Sequence, residues 1–254
     1  MRNGKTDGLL SILIPNHNYG HFVRQAIESV ARQEYEPIEL IVVDDASTDG
    51  SVAIIEQTLA DIDGLARVEF IVNDKARGKL GVMNQTMEMF HGDYYMALDA
   101  DDCISECYAR RCIGELRRAH AEDKDIGFVY TDCNLIAENG RWLAPGRSAA
   151  FDSGLLERWS YIPSPAIVLM QAMAEAGPFD ETIHKGTKHH TWRRIVGNGW
   201  RGFHLPEPLF FYRMHSGNVS GIGDRVIAEV EGGHTGERIL SGYWPTAVSG
   251  AASS

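Results

Sequence analysis

The segment Leu9-Leu10-Ser11-Ile12-Leu13-Ile14 is almost wholly apolar and is closed by Pro15. A short run of this kind predicts a strand buried on both faces. Turn-forming residues 16–20 follow, and then Phe22, Ala26, Ile27 and Val30 recur at helical spacing. Glu39-Leu40-Ile41-Val42-Val43 predicts a second buried strand, and the next helix carries Val52, Ile54, Ile55 and Leu59. Val68 to Val72 predicts a third strand. A loop rich in Gly and Lys, residues 73–81, then leads to a helix over about residues 82–90. Tyr94 to Leu98 predicts a fourth strand. Strands alternating with helices are the signature of an α/β fold, here an open, mostly parallel sheet flanked by helices.

The second half is more mixed. Ile126 to Tyr130, Ala166 to Met170 and Leu209 to Tyr212 read as strands. A short helix over 171–176 is stopped by Gly177-Pro178, and residues 191–196 read as a helix. The expected organisation is one domain over residues 1–222, made of halves 1–104 and 105–222, with an extension over 223–254. The composition of residues 249–254 predicts disorder.

Open parallel sheets bind ligands at the carboxyl ends of their strands. Three polar clusters fall at such ends: Asn16 to Asn18, Asp44-Asp45, and Asp99-Ala100-Asp101-Asp102. Three carboxylates within four residues repel one another unless a cation neutralises them. Oxygen donors suit Mg2+ or Mn2+, ions that commonly hold a diphosphate at the same time.

Bulk properties narrow the partners. The 254 residues carry a formal charge of −11, which disfavours non-specific binding to nucleic acid or anionic lipid. Arg110-Arg111 and Arg117-Arg118 fit a solvated helix face. The four cysteines, Cys103, Cys107, Cys112 and Cys133, lack zinc-site spacing, although the first three could share one helix. They read as buried free thiols in a reducing compartment. No apolar run is long enough for a membrane span, and the polar start lacks the apolar region of a signal peptide, so a cytoplasmic protein is expected.

The order of motifs resembles the family 2 glycosyltransferases of the GT-A fold. The matching stretches are Ile12-Leu13-Ile14-Pro15-Asn16-His17-Asn18, Ile41 to Asp49, Met83-Asn84, Gly92-Asp93-Tyr94 and Leu98 to Asp102. Further on come Gly177-Pro178-Phe179-Asp180-Glu181, Leu205 to Leu209 and Tyr212-Arg213-Met214-His215-Ser216-Gly217-Asn218. The resemblance implies a nucleotide-sugar-binding first half and an acceptor-binding second half. Pro15, Asn16 and Asn18, with Asp44 or Asp45, would hold the nucleoside; a carboxylate that accepts from the N3–H of uracil would favour a UDP-sugar. Asp45 as a plain helix cap is the competing reading. Asp99 would lie near the ribose or the ion, and Asp101 would be the main metal ligand. Lys79 would meet phosphate, Asn84 matches the asparagine of the family's Arg-Asn pair with Met83 in place of the arginine, and His215 would reach the metal or the diphosphate.

One family feature is missing. Inverting relatives place a Glu-Asp pair before a helix that ends in Trp-x-Arg, and its Asp deprotonates the acceptor hydroxyl. Here Thr187 and Lys188 occupy that pair, and no carboxylate lies between Glu181 and Glu207. Three readings follow. His190 or His189 is the base; or the acceptor is acidic or anionic and Lys188 binds it; or the chain binds a sugar nucleotide and transfers poorly, as a partner subunit. A nucleotidyltransferase would need a glycine-rich basic loop after the first strand, where Pro15-Asn16-His17-Asn18 stands instead. The acceptor is left open.

Overall fold

In a computed structural model, which describes residues 7–218 and 223–232, one mixed sheet runs through the molecule. Its first half comprises β1 (Leu10–Asn16), α1 (Gly20–Ala31), β2 (Ile38–Asp44), α2 (Ser51–Asp61), β3 (Arg67–Val72), α3 (Gly78–Thr86) and β4 (Tyr94–Ala97). Next come β5 (Cys103–Ile104), α4 (Tyr108–Glu122), β6 (Ile126–Ala137), β7 (Trp142–Gly146), α5 (Ser153–Leu156) and β8 (Ile167–Leu169). The described chain ends with α6 (Met170–Ala176), α7 (Thr187–Gly197), β9 (Arg201–Met214) and α8 (Gly223–Glu231). The strand order is β3-β2-β1-β4-β8-β6-β9-β5, with β7 added to β6.

β1 pairs in parallel with both β2 and β4, and β2 with β3. The chain therefore winds outward from β1 to β3 and then crosses back to β4. That reversal opens a crevice at the carboxyl ends of β1 and β4. β8 is antiparallel to both β4 and β6, so the parallel half continues without a break into the mixed half. Every residue of β2 is buried, which accounts for its unbroken apolar run, because helices cover both faces.

The parallel half follows the expected rhythm. α3, however, begins at Gly78 and not near residue 82. Its first N–H groups are satisfied across the sheet by Asp45, a cap that local sequence does not reveal. The second half holds more strand than expected. β9 runs through Pro206 and Pro208 because the register with β6 shifts there, from Thr131↔Leu205 to Asp132↔Pro208. β7 joins β6 through a turn at Asn139-Gly140, with Gly140 at φ 83°. Cys103 lies on β5 and Cys107 precedes α4, so the first three cysteines do not share a helix; all four thiols are free, and Cys112 and Cys133 are buried.

The predicted disorder of residues 249–254, like most of the 223–254 extension, lies outside the described residues; α8, its described part, packs on β9 and β7. Among the described residues no helix is long and apolar enough to cross a membrane.

At the sheet's amino end, buried Glu39 of β2 gathers donors from several neighbours, the Gly92 N–H at 3.2 Å among them. It accepts from Ser11 Oγ at 2.5 Å, His91 N–H at 2.6 Å and Arg67 Nη1 at 3.0 Å. Burial alone would raise its pKa, but the hydrogen bonds from Ser11, His91 and Arg67 outweigh it and hold the carboxyl below its ordinary value. A depressed carboxyl stabilises the fold above its unfolded pKa and loses that contribution as pH falls through the folded one. Chemical denaturation across pH 3–6 should therefore show stability falling toward acid, with a shallower slope for Glu39→Gln; an unchanged slope would remove Glu39 from this role.

Candidate donor site at the carboxyl ends of β1, β2 and β4

Parallel pairing brings the ends of β1 and β2 side by side, with Asn16 opposite Asp44. Asp44 is fully buried and accepts from Asn16 Nδ2 at 2.8 Å and from the Ser47 N–H at 2.9 Å. It braces the two loops and is sealed from solvent, so a nucleoside contact by Asp44 does not fit this geometry. Asp45 accepts from Arg77 N–H at 2.9 Å, Gly78 N–H at 2.8 Å and Asn73 Nδ2 at 2.8 Å. Its capping therefore acts on α3, not on the helix that follows it in sequence.

Pro15 is the penultimate residue of β1, opposite Val43. Asn18, at φ 59°, takes the Thr48 N–H on Oδ1 at 2.8 Å, and its own N–H reaches Ser47 Oγ at 2.8 Å. Asn and Asp tolerate this left-handed backbone better than other side chains. The result is a rigid rim formed by the first two polar clusters.

The acidic turn follows β4. Lys79, from the first turn of α3, makes an ion pair with Asp99. Asp101 Oδ2 lies 3.2 Å from His215 Nε2. Asp102 is buried and accepts the Arg213 N–H at 3.0 Å. Burial, and then the charges of Asp101 and Asp99, raise the Asp102 pKa well above the carboxylate range, while the Arg213 N–H and Lys188 oppose the rise.

Two residues that the sequence reading passed over complete the site. Buried Arg213 donates to the carbonyls of Asp101 at 2.9 Å and Glu138 at 2.9 Å and to Gln25 Oε1 at 2.6 Å, and it sits 4.8 Å from the Phe22 ring centroid. Tyr19 packs edge-on to His215, and its hydroxyl donates to the Gly217 carbonyl at 3.3 Å. Burial and the charges of Asp101, Asp99 and Asp102 push its phenol pKa up. A Tyr among turn residues and an Arg beside the late His were the available signals.

The expected metal set of Asp101, Asp99 and His215 does not assemble. Asp99 turns to Lys79, and among the described residues no three His, Cys, Asp or Glu side chains are grouped to hold a metal ion. Asp101 still fits a hard cation of the kind that takes one carboxylate and completes its shell with phosphate oxygens and water.

Asn84 does not face this crevice. Its amide brackets the Phe179 backbone, donating to the carbonyl at 2.9 Å and accepting the N–H at 2.8 Å. Met83, where the family has arginine, is buried apolar surface. On α7 the three base candidates diverge. Lys188, with Thr191, Trp192 and Ile195, lines a cavity of about 30 Å³ that Lys79 and Ser164 also border. His189 Nε2 donates to the Leu156 carbonyl at 2.6 Å and so ties α7 to α5. His190 lies edge-on to Phe179 at 6.2 Å, with Nε2 buried and unbonded. Burial, and then Arg194 and Arg193, lower its pKa against the pull of Asp180. Neither histidine lines the cavity that Lys188 borders; the helical period sends them to other faces.

Comparison with known proteins agrees with this architecture. The profile described as "Glycosyl transferase family 2" matches residues 11–169. An uncharacterized glycosyltransferase of Haemophilus influenzae is 38% identical over 124 residues, 49% of this chain and 48% of that protein. The putative teichuronic acid biosynthesis glycosyltransferase TuaG of Bacillus subtilis is 23% identical over 84% of this chain and 81% of its own. The chain thus spans about half of the Haemophilus relative and still less of several others. Among solved structures, S. aureus TarS 1-349 in complex with UDP-GlcNAc superposes with TM-score 0.63 at 16% identity, covering 87% of this chain and 65% of that one. The mannosyltransferase PcManGT of Pyrobaculum calidifontis, in complex with GDP-Man and Mn2+, gives 0.59 at 19%, covering 84% and 59%. These likenesses establish the GT-A fold.

Proposed function

Because the chain belongs to glycosyl transferase family 2, we propose that it moves a sugar from a nucleotide-sugar donor, most readily a UDP-sugar, to an acceptor hydroxyl. The observation that carries this reading is the meeting of Asn16, Asp45 and the Asp99–Asp102 turn at the crevice between β1 and β4, with Lys79 beside it. The rim of Pro15 and Asn18 would seat the nucleoside, with buried Asn16 bracing it from beneath through Asp44. Asp101 would hold Mn2+ or Mg2+, which supplies Lewis-acid stabilisation to the departing diphosphate. Lys79 and Lys188 border one cavity, and cations there would take up charge that grows on the leaving group. The nucleotide-bound neighbours support this class of donor, UDP-GlcNAc in one and GDP-Man in the other.

The test is thermal unfolding against a panel of nucleotide sugars, with and without Mn2+. A cognate donor at a hundred times its Kd stabilises by about 2.7 kcal/mol, which raises Tm by roughly 5–10 °C in a domain of this size. That rise should need the ion. No shift with any donor, together with no product from a mixed acceptor pool, would refute the reading.

A further inference from the structure

The loop after β9 holds the His215 imidazole from several sides. The residue is 5% exposed, and its ring packs on Tyr19 and Phe22 with centroids at 5.7 and 5.0 Å. The His215 N–H donates to Asn218 Oδ1 at 2.8 Å, and Asn218 Nδ2 donates to the Arg213 carbonyl at 3.0 Å. Gly223 closes the clasp: a Cβ there would stand 2.2 Å from the His215 carbonyl oxygen and 2.4 Å from Asn218 Oδ1. The ring is therefore fixed in orientation.

Its two nitrogens meet opposite chemistry. The Gly217 N–H donates to Nδ1 at 3.2 Å, which requires a lone pair on Nδ1. Nε2 faces Asp101 Oδ2 at 3.2 Å, and an ionised carboxylate only accepts. Both contacts select the neutral tautomer with its proton on Nε2. A histidine that ligates a metal through Nε2 has the reverse arrangement: the lone pair is on Nε2, and Nδ1–H is donated to a carbonyl or carboxylate. That proton would here oppose the Gly217 N–H.

The geometry points to His215 as a positioning residue, an Nε2–H donor that aims the Asp101 carboxylate and stays outside the coordination sphere of the ion. The inference rests on the proposed cation at Asp101 and reverses the role that the family resemblance implies for His215. The ion then takes its other ligands from diphosphate and water.

Nitrogen NMR of the full chain labelled with 15N-histidine, first without metal, reads the tautomer directly. His215 should show a pyridine-like Nδ1 and a pyrrole-like Nε2, and should keep both after addition of Mg2+ and UDP. Pulsed EPR of the Mn2+–UDP complex should show no nitrogen coupling that changes when 15N-histidine replaces 14N-histidine. A pyrrole-like Nδ1 in either state, or a label-sensitive coupling to Mn2+, overturns the inference. Failure of both ions and UDP to bind would count against the function proposed above, while the metal-free spectrum still decides the tautomer.

Discussion

An Asp101→Asn protein is expected to transfer sugar at least about a hundredfold more slowly, the scale of losing a preorganised electrostatic contact to the leaving group. Its stabilisation by a UDP-sugar should no longer respond to Mn2+. The fold itself should not suffer. Asp101 sits with Asp99 and Asp102 in a turn where burial first, and then the charges of Asp101 and Asp99, drive the Asp102 pKa upward. Removing one of those charges relieves the metal-free protein, so its Tm should stay level or rise. Measuring the metal-free Tm beside turnover separates loss of the ion from loss of structure. Undiminished turnover with intact Mn2+ dependence would take Asp101 out of the metal site.

Arg213→Met should cost about 2–4 kcal/mol: the buried Asp101 carbonyl left without its donor costs about 1–3 kcal/mol, and the lost hydrogen bonds to the solvent-accessible Glu138 carbonyl and Gln25 amide add about 1 kcal/mol. Methionine fills much of the same space against Phe22, but it leaves the carbonyls of Asp101 and Glu138 and Gln25 Oε1 without their guanidinium. For a domain of this size Tm should fall by roughly 4–16 °C. Urea denaturation reads the same loss. A shift of a degree or two would mean that other donors satisfy these groups.

The parallel half of the fold was legible because its information is local. Continuous apolar runs gave β1, β2 and β4, and the polar residues that end them marked the crevice. Side-chain engagement was not legible, because it depends on partners far away in sequence. Asp45 caps a helix that begins thirty-three residues later at Gly78. Asn84 fastens the Phe179 backbone, ninety-five residues away. In the second half the strands are interrupted by prolines at register shifts, so periodicity alone under-read β9. The Asn139-Gly140 turn was a local signal for β7 that the apolar pattern, carrying no run there, did not bring forward. The helical period of α7 was visible, but which face met the cavity was not, and that alone separates Lys188 from His189 and His190.

The antiparallel seam formed by β4, β8 and β6 has a consequence for anyone wishing to recombine such enzymes. A crossover near residue 104, where the sequence suggests a boundary between halves, would leave β4 with a bare edge and strand the Asn84 clamp without Phe179. Exposed edges of this kind invite intermolecular pairing. A workable chimera would keep β8 and residues 177–181 with the parental first half and exchange only the surface that surrounds them.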